Sequence, residues 1–461
     1  MSPGLDVAVV GAGPAGLATA YALGEAGLAV RVLEAADAVG GRMRTLREHG
    51  FLIDTGAEML PPAAGYPATW RLVRELGLDA PGAVPRVPGA LAVWRGGRAR
   101  PHAGRPLGLL TGAGLPPRAR LDLVRLQAAL AARARAGGLD ADRPERSALG
   151  AATAAQLLAP YHRELRTRLL GPLAAGFFGW DLAEAAAAPL AAHLVAAGGT
   201  AGWRTYRDGM DAFARALATR LDVATGRAVT SVAAVAGGVR LETAAGAVTA
   251  RAAVLAVPAP VAARLHPDAP PVERDYLAAC GYAPMLRVSL LLDRPMAPAG
   301  AERGFAVLVP AAEDPVINVI TAEHNKHPGR VPAGRGLLSL VTSPRGTAEL
   351  IDAPDDELAE RLTARAERFV PGLSARIDSV RVHRFRHGLP LATPRALAAR
   401  AAFAARPASP VEYAGDWTAL RPCSEGAVSS AATAAERLLA QLSPGGVGRP
   451  GDRLAAALDF E

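Results

Sequence analysis

Three glycines and one acid carry the first chemical reading of this chain. Gly11, Gly13 and Gly16 stand in G-x-G-x-x-G spacing, and Glu34 follows the last of them by 18 residues. Each has a physical role at a phosphate. Gly11 permits a tight turn, Gly13 puts no side chain between backbone and a pyrophosphate, and Gly16 lets a helix lie close on a strand. Free N–H groups and the dipole at a helix start attract the phosphate charge. A carboxylate at position 34 can accept both hydroxyls of an adenosine ribose and repels a 2′-phosphate, which argues against NADP.

The elements needed to position these residues are legible around them. Asp6–Val10 is an apolar run of strand length, an Ala/Leu-rich helical stretch continues to about Ala26, and a second apolar run, Leu28–Leu33, ends in Glu34. Strand, helix, strand and acid in this register predict a βαβ unit that seats an ADP moiety. The unit alone does not decide between FAD and NAD.

The chain has 461 residues, half of them apolar and 5% aromatic, enough for two or more domains with large cores. Lys326 is the sole lysine, so 50 of the 51 basic residues are arginine. With the alanine, glycine and proline excess, this reads as GC-rich coding bias, and the net charge of +8 is discounted accordingly. The arginines are spread without a basic block, which argues against nucleic acid as a partner. Cys280 and Cys423 form neither a metal spacing nor a disulfide framework. The first strand begins at residue 6, leaving no room for a signal peptide, and no run reaches 18 uninterrupted apolar residues. Leu169–Trp180 is too short to span a bilayer, and Ala185–Ala197 is interrupted by Pro189 and His193. The expectation is a soluble, cytoplasmic protein without a transmembrane segment; a hydrophobic substrate would leave peripheral membrane contact open.

Beyond Glu34, AADAVGGRMRT places Gly40 and Gly41 before Arg42 and Arg44, and GFLIDTGAEML joins a short strand to an Asp54-Thr55-Gly56 turn and Glu58. Trp94–Arg98 predicts a hairpin turn. Helices are expected over 117–137, 147–170, 182–197 and from about Gly209 to 221. Strands are expected within 223–257, then at 283–293, 304–309, 315–321 and 336–342. A helix at 355–369, a strand at 377–385, a strand at 411–414 and a helix from Gly426 to Leu442 complete the reading. The tail from Ser443 is Pro/Gly-rich and expected to be loose.

VGGRMRT, DTGAEML and YAGDWTALRPCSEGAVSSAATAAERLL together resemble the flavoprotein family of monoamine oxidase, protoporphyrinogen oxidase and phytoene desaturase. The resemblance spans nearly the whole chain and is most specific at 6–60 and 411–440. It implies an α/β fold: a Rossmann-like FAD-binding domain of glutathione-reductase type with a mixed-sheet plus helical substrate domain. The implied division is 1–85, 205–270 and 405–442 for FAD, and 86–204 and 271–404 for substrate, with 443–461 a tail. The cofactor contacts it implies are Gly11, Gly13, Pro14, Ala15 and Gly16 at the pyrophosphate, and Glu34 and Ala35 at the ribose. Gly41 and Arg42 follow at the phosphates, then Gly56, Ala57 and Glu58, with Val229 against the adenine. Gly415 and Asp416 would lie near the ribityl or phosphate end. Gly426, Ala427 and Val428 open a last helix whose N-terminus would face the flavin's pyrimidine edge and tune its potential.

Departures from the family pattern narrow the chemistry. Covalent members attach FAD to cysteine in Ser-Gly-Gly-Cys-Tyr; Cys423 lies in Arg-Pro-Cys-Ser-Glu, so FAD is expected to be non-covalent. Many amine oxidases place a lysine near flavin N5, on the strand matching Met285–Ser289; here it reads Met-Leu-Arg-Val-Ser, which favours the porphyrinogen-oxidase and desaturase side. Hydride transfer from a C–H bond activated by nitrogen needs no obligatory acid or base. His324, His327, His383 and His387 could face a pocket; His387 is the leading polar candidate, and Trp417 and Tyr413 are candidates for aromatic flanks of the flavin. The expected activity is an FAD-dependent oxidase or dehydrogenase that removes hydride from a hydrophobic amine, porphyrinogen-like or polyene small molecule and passes electrons to O2 or another acceptor. An FAD-dependent non-redox isomerase or cyclase is the alternative, and a non-catalytic FAD-stabilised scaffold a third reading.

Overall fold

The computed structural model describes residues 4–442 apart from positions 90, 104 and 199. The tail expected to be loose lies outside the described residues.

Five parallel strands form the nucleotide sheet, in the order Val411–Tyr413, Ala252–Leu255, Val7–Val10, Val30–Leu33 and Asp222–Ala224. Val7–Val10 and Ala252–Leu255 are buried throughout, as strands covered on both faces must be. Pro14–Glu25 and Ser424–Leu442 pack against each other beside this sheet, and leucines from both enter the same core as Val7 and Val254. A carboxylate joins two helix starts: Glu425 accepts the N–H groups of Ala68 (2.9 Å) and Thr69 (2.8 Å), which open the helix Pro67–Glu75. It satisfies donors that no intrahelical carbonyl can reach.

The second large sheet has seven strands, in the order Ile377–Pro390, Tyr282–Leu292, Gly336–Thr342, Ile317–Ala322, Ala306–Leu308, Leu91–Arg95 and Arg98–Arg100. It is antiparallel except where Ala306–Leu308 runs parallel to Leu91–Arg95. Helices between Pro106 and Ala197 cover the region beside it. The architecture is therefore α/β, a Rossmann-like cofactor domain joined to a mixed-sheet and helical substrate domain.

The strands expected within 223–257 divide between the nucleotide sheet, which takes Ala252–Leu255, and a separate antiparallel sheet of Val229–Val235, Gly238–Thr243 and Gly246–Ala250. Two local expectations need correction. The stretch 147–170 is not one helix but short pieces, Ala154–Leu158 and Arg163–Leu165, followed by a π-type turn over Arg166–Leu170. Pro160 interrupts the first part. Pro172, just inside Gly171–Phe178, has no N–H to continue the ladder, and a widened turn precedes it. The helix expected from Gly209 begins at Ala212, because Gly209 sits at φ +92° with Thr45 where a Cβ would go.

Candidate functional site

The glycine turn adopts the geometry its spacing requires. Gly11 has φ +104°, and a Cβ there would lie 2.7 Å from the Ala256 carbonyl oxygen. A Cβ on Gly16 would lie 1.9 Å from the Gly11 carbonyl oxygen, so helix and strand meet with no room for a methyl group. Gly13 differs: it caps the helix in extended conformation, and a Cβ there would meet nothing within 4 Å. The space is open, and Gly13 borders a cavity. No side chain caps this helix. Its first-turn N–H groups, Ala15 and Gly16, lack intrahelical acceptors. Glu34 is drawn onto the turn: its carboxylate accepts from Ala12 N–H at 2.6 Å and Ala36 N–H at 2.8 Å.

The cavity has a volume of about 950 Å3 and reaches from this turn to the helices of the substrate domain. Among the sequence-predicted cofactor residues, Gly11, Gly13, Pro14, Ala15, Glu34, Gly41, Arg42, Gly56, Ala57, Glu58, Gly415, Asp416 and Ala427 line it. Gly16, Ala35, Val229, Gly426 and Val428 do not. Gly16 and Gly426 instead make close backbone approaches, Gly426 with the Arg421 carbonyl oxygen, and Val428 belongs to the core beneath the sheet.

Residues 374 positions apart meet in the cavity wall. Arg42 donates both Nη1 and Nη2 to the Asp416 carboxylate, each at 2.8 Å, and Nη1 also reaches the Gly388 carbonyl at 2.8 Å. A planar fork on a carboxylate fixes orientation as well as charge. Burial opposes the charge on Arg42, and Asp416 more than offsets this, so its pKa is raised. Trp417 lies across Gly415, whose Cβ would fall 2.6 Å from the indole Nε1, and that N–H donates to the Val257 carbonyl at 3.1 Å.

Of the proposed catalytic residues, His387 and Trp417 line the cavity and Tyr413 does not. The Tyr413 hydroxyl donates to Glu273 at 2.8 Å and lies 2.8 Å from His266 Nδ1, which commits the ring to the buried core. His324, His327 and His383 are likewise absent from the lining. His387 packs edge-on to Tyr282, and burial followed by the nearby Arg264 lowers its pKa.

Two features of the wall escaped the sequence reading. Arg287 projects from the strand Tyr282–Leu292 into a buried charge cluster. It pairs with Glu58 and with Glu323 (2.9 Å). Glu323 also holds Lys326 (2.8 Å) and Arg330 (3.0 Å), and Asp54 closes the set against Lys326 (3.3 Å) and Arg330. Three acids and three cations thus neutralise one another with side chains between 0 and 13% exposed. Burial pushes the Glu58 pKa up despite Arg287, whereas the three cations around Glu323 overcome burial and hold it well below the carboxylate range. Glu58 and Arg287 are the members that reach the cavity. The second feature is His193, 4% exposed, stacked on Phe178 and edge-on to Trp180. Its Nε2 has no hydrogen-bond partner, and burial, with a smaller push from Arg421, drives its pKa down to about 3. A lone histidine in an alanine- and leucine-rich run was the available signal.

The family model for flavin containing amine oxidoreductases matches residues 14–439. Putrescine oxidase of Kocuria rosea is 46% identical over 74 residues, which is 16% of this chain and 15% of that protein. The chain therefore matches only a small part of that relative's length. Cyclohexylamine oxidase from Brevibacterium oxydans superposes with a TM-score of 0.75 at 20% identity, covering 96% of this chain and all of that one. A CLA-producing fatty acid isomerase from P. acnes gives 0.70 at 17% identity, covering 96% and 99%. At these identities the superpositions speak for fold. The open space at Gly13, the uncapped helix start and the acid at position 34 fit the family's cofactor, and the chain belongs to the flavin containing amine oxidoreductase family.

Proposed function

We propose that the enzyme removes hydride from a neutral, hydrophobic small molecule held in the helical half of the cavity. One observation carries this reading. Beyond Glu58 and Arg287 the helical part of the wall is mostly apolar, with Leu126, Leu130, Leu169, Leu173, Phe177 and Phe178 beside Gln127 and His193; Arg384, Arg386 and His387 add basic rather than acidic groups, and each of the three carboxylates lining the cavity already has a partner. Glu34 serves backbone N–H groups, Asp416 serves Arg42, and Glu58 serves Arg287. A substrate ammonium would enter without a counter-ion, at a desolvation cost of several kcal/mol. A polyene donor or an unprotonated hydrophobic amine carries no such penalty.

FAD, bound non-covalently, supplies a two-electron acceptor that returns its electrons to O2 or another oxidant. In this reading Gly11, Gly13, Pro14, Ala15 and Gly16 hold the pyrophosphate, Glu34 and Ala35 the ribose, and Val229 the adenine. Gly41, Arg42, Gly415 and Asp416 fix the middle of the cofactor. Gly56 and Ala57 line its bed, and Gly426, Ala427 and Val428 present the last helix to the flavin. Trp417 and His387 wall the reacting end, and the apolar lining excludes water. The division into 1–85, 205–270 and 405–442 for cofactor and 86–204 and 271–404 for substrate is part of the same proposal; the strand membership of the two large sheets supports it.

Anaerobic titration of the yellow enzyme with amines, porphyrinogens and polyenes tests the reading. Bleaching by a neutral apolar donor, with charged short amines inert, is expected. Bleaching by charged amines alone would overturn it. A second reading, isomerisation without net oxidation, is favoured by the likeness to the fatty acid isomerase; product formed with no external acceptor consumed would establish it instead.

A further inference from the structure

Exposed apolar side chains concentrate on one part of this molecule. Among the described residues six large apolar side chains are more than a third exposed, and five of them fall between positions 107 and 195: Leu107, Leu110, Leu121, Val124 and Val195. Scattered single leucines would need no explanation, but a contiguous group marks an interaction surface. Leu107 and Leu110 are three apart on the helix Pro106–Thr111, and Leu121 and Val124 are three apart on Pro117–Arg135. Residues at this spacing share a helix face. The Arg120 guanidinium donates to the carbonyls of Leu109 and Leu110, which ties the end of the first helix to the start of the second. Leu110 is 81% exposed, so burial within the chain does not account for it.

The same long helix is a wall of the cavity. Leu123, Leu126, Leu130 and Ala131 line the interior, while Leu121 and Val124 look outward. The helix Ala187–Ala197 packs against it, and its Val195 is both exposed and part of the cavity lining. The apolar face and the cavity therefore adjoin at this point.

The charge around the face selects the occupant. Residues 105–135 contain six arginines and one acid, Asp122. Arg118, Arg125, Arg133 and Arg135 are exposed. A second copy of the chain would bring the same positive charge to the contact and be repelled. An anionic lipid surface offers the complementary charge and an apolar layer directly beneath it. We propose that this face docks on anionic bilayers, with Leu107, Leu110, Leu121 and Val124 in the acyl boundary and the arginines among the headgroups. If the substrate is apolar, as argued above, Val195 marks its way from lipid to cavity. The docking itself does not depend on that.

The test is co-sedimentation of the yellow holoenzyme with vesicles of phosphatidylcholine alone and of an equimolar mixture with phosphatidylglycerol. Binding to the mixture and not to phosphatidylcholine alone, weakened by salt, is expected. Leu110→Asp/Leu121→Asp should lose about tenfold or more of the binding, and Arg118→Glu/Arg125→Glu a similar amount, with flavin content unchanged. These positions lie outside the cavity, so retained flavin reports an intact fold. Equal binding by both vesicle types, no binding to either, or full binding by the aspartate pair would overturn the proposal. So would a concentration-dependent dimer that the aspartate pair abolishes. Failure here leaves the redox reading intact, because anaerobic bleaching in detergent is read separately.

Discussion

Gly13 separates folding from cofactor binding more cleanly than any other position in the glycine turn. Its backbone, at φ −76° and ψ 175°, is open to every residue type, and an added Cβ meets no heavy atom within 4 Å. Gly13→Ala gains about 0.4–1 kcal/mol from a stiffer unfolded chain and loses a similar amount at a helix cap, so the stability of the apoprotein should stay within about 1 kcal/mol of wild type. The new atom points into the space assigned to the pyrophosphate. Displacing the phosphate from even one first-turn N–H removes a charged hydrogen bond of about 1.5–3 kcal/mol, which raises the FAD Kd roughly ten- to a hundredfold. Gly13→Val should give protein that is folded and colourless. Gly16→Ala is the contrasting control: its methyl group would stand 1.9 Å from a backbone oxygen, and it should lower Tm even without cofactor. Flavin absorbance, fluorescence titration of apoprotein and thermal denaturation read the three variants. Wild-type affinity in Gly13→Val would refute the assignment of the turn, and a collapsed Tm in apo Gly13→Ala would refute the open-space argument.

Other substitutions probe the remaining walls. Glu34→Ala should weaken FAD by about 1–3 kcal/mol in the same titration, since it removes a charged acceptor and loosens the loop held through Ala12 and Ala36. Arg287→Met leaves Glu58 and Glu323 with one cation fewer in a buried cluster and should destabilise the protein by about 3–5 kcal/mol in urea denaturation, whereas Arg287→Met combined with Glu58→Gln should recover part of that loss. His193 titrates near 6.5 when unfolded and about 3 when folded, so below pH 6.5 the unfolded chain binds the extra proton. Its contribution is fully present above the unfolded pKa and lost as pH falls toward about 3, at no more than about 1.4 kcal/mol per pH unit. His193→Phe should flatten that part of the stability profile; an unchanged slope would place the titration elsewhere.

The cofactor half was readable because its demands are local. A turn of φ +104° at Gly11 and a methyl-free contact at Gly16 are written in neighbouring residues, and the period of the flanking strands fixes the rest. The substrate half was not. Arg287 and Glu58 are far apart in sequence, and nothing at either position announces the other; they meet only where the strand Tyr282–Leu292 passes the loop that follows Phe51–Asp54. His193 reads as a flaw in an apolar run until the helix seats it between Phe178 and Trp180. Tyr413 shows the opposite failure. Its place beside the AGD turn suggested the flavin, yet its hydroxyl answers to Glu273 and His266 on the other side of the strand. The broken helices before Phe178 follow from Pro160 and Pro172, which were visible but outweighed by the surrounding leucines and alanines.

The buried charge cluster has a practical side. Lys326 is the only lysine in the chain, and it is fully enclosed between Asp54, Glu323 and the face of Phe305. An amine-directed acylating dye added to the folded enzyme would therefore not reach this side chain. A label on a peptide carrying residue 326 would appear only when that enclosure opens. Mass spectrometry of dye uptake at residue 326 against temperature or denaturant would then count open molecules directly.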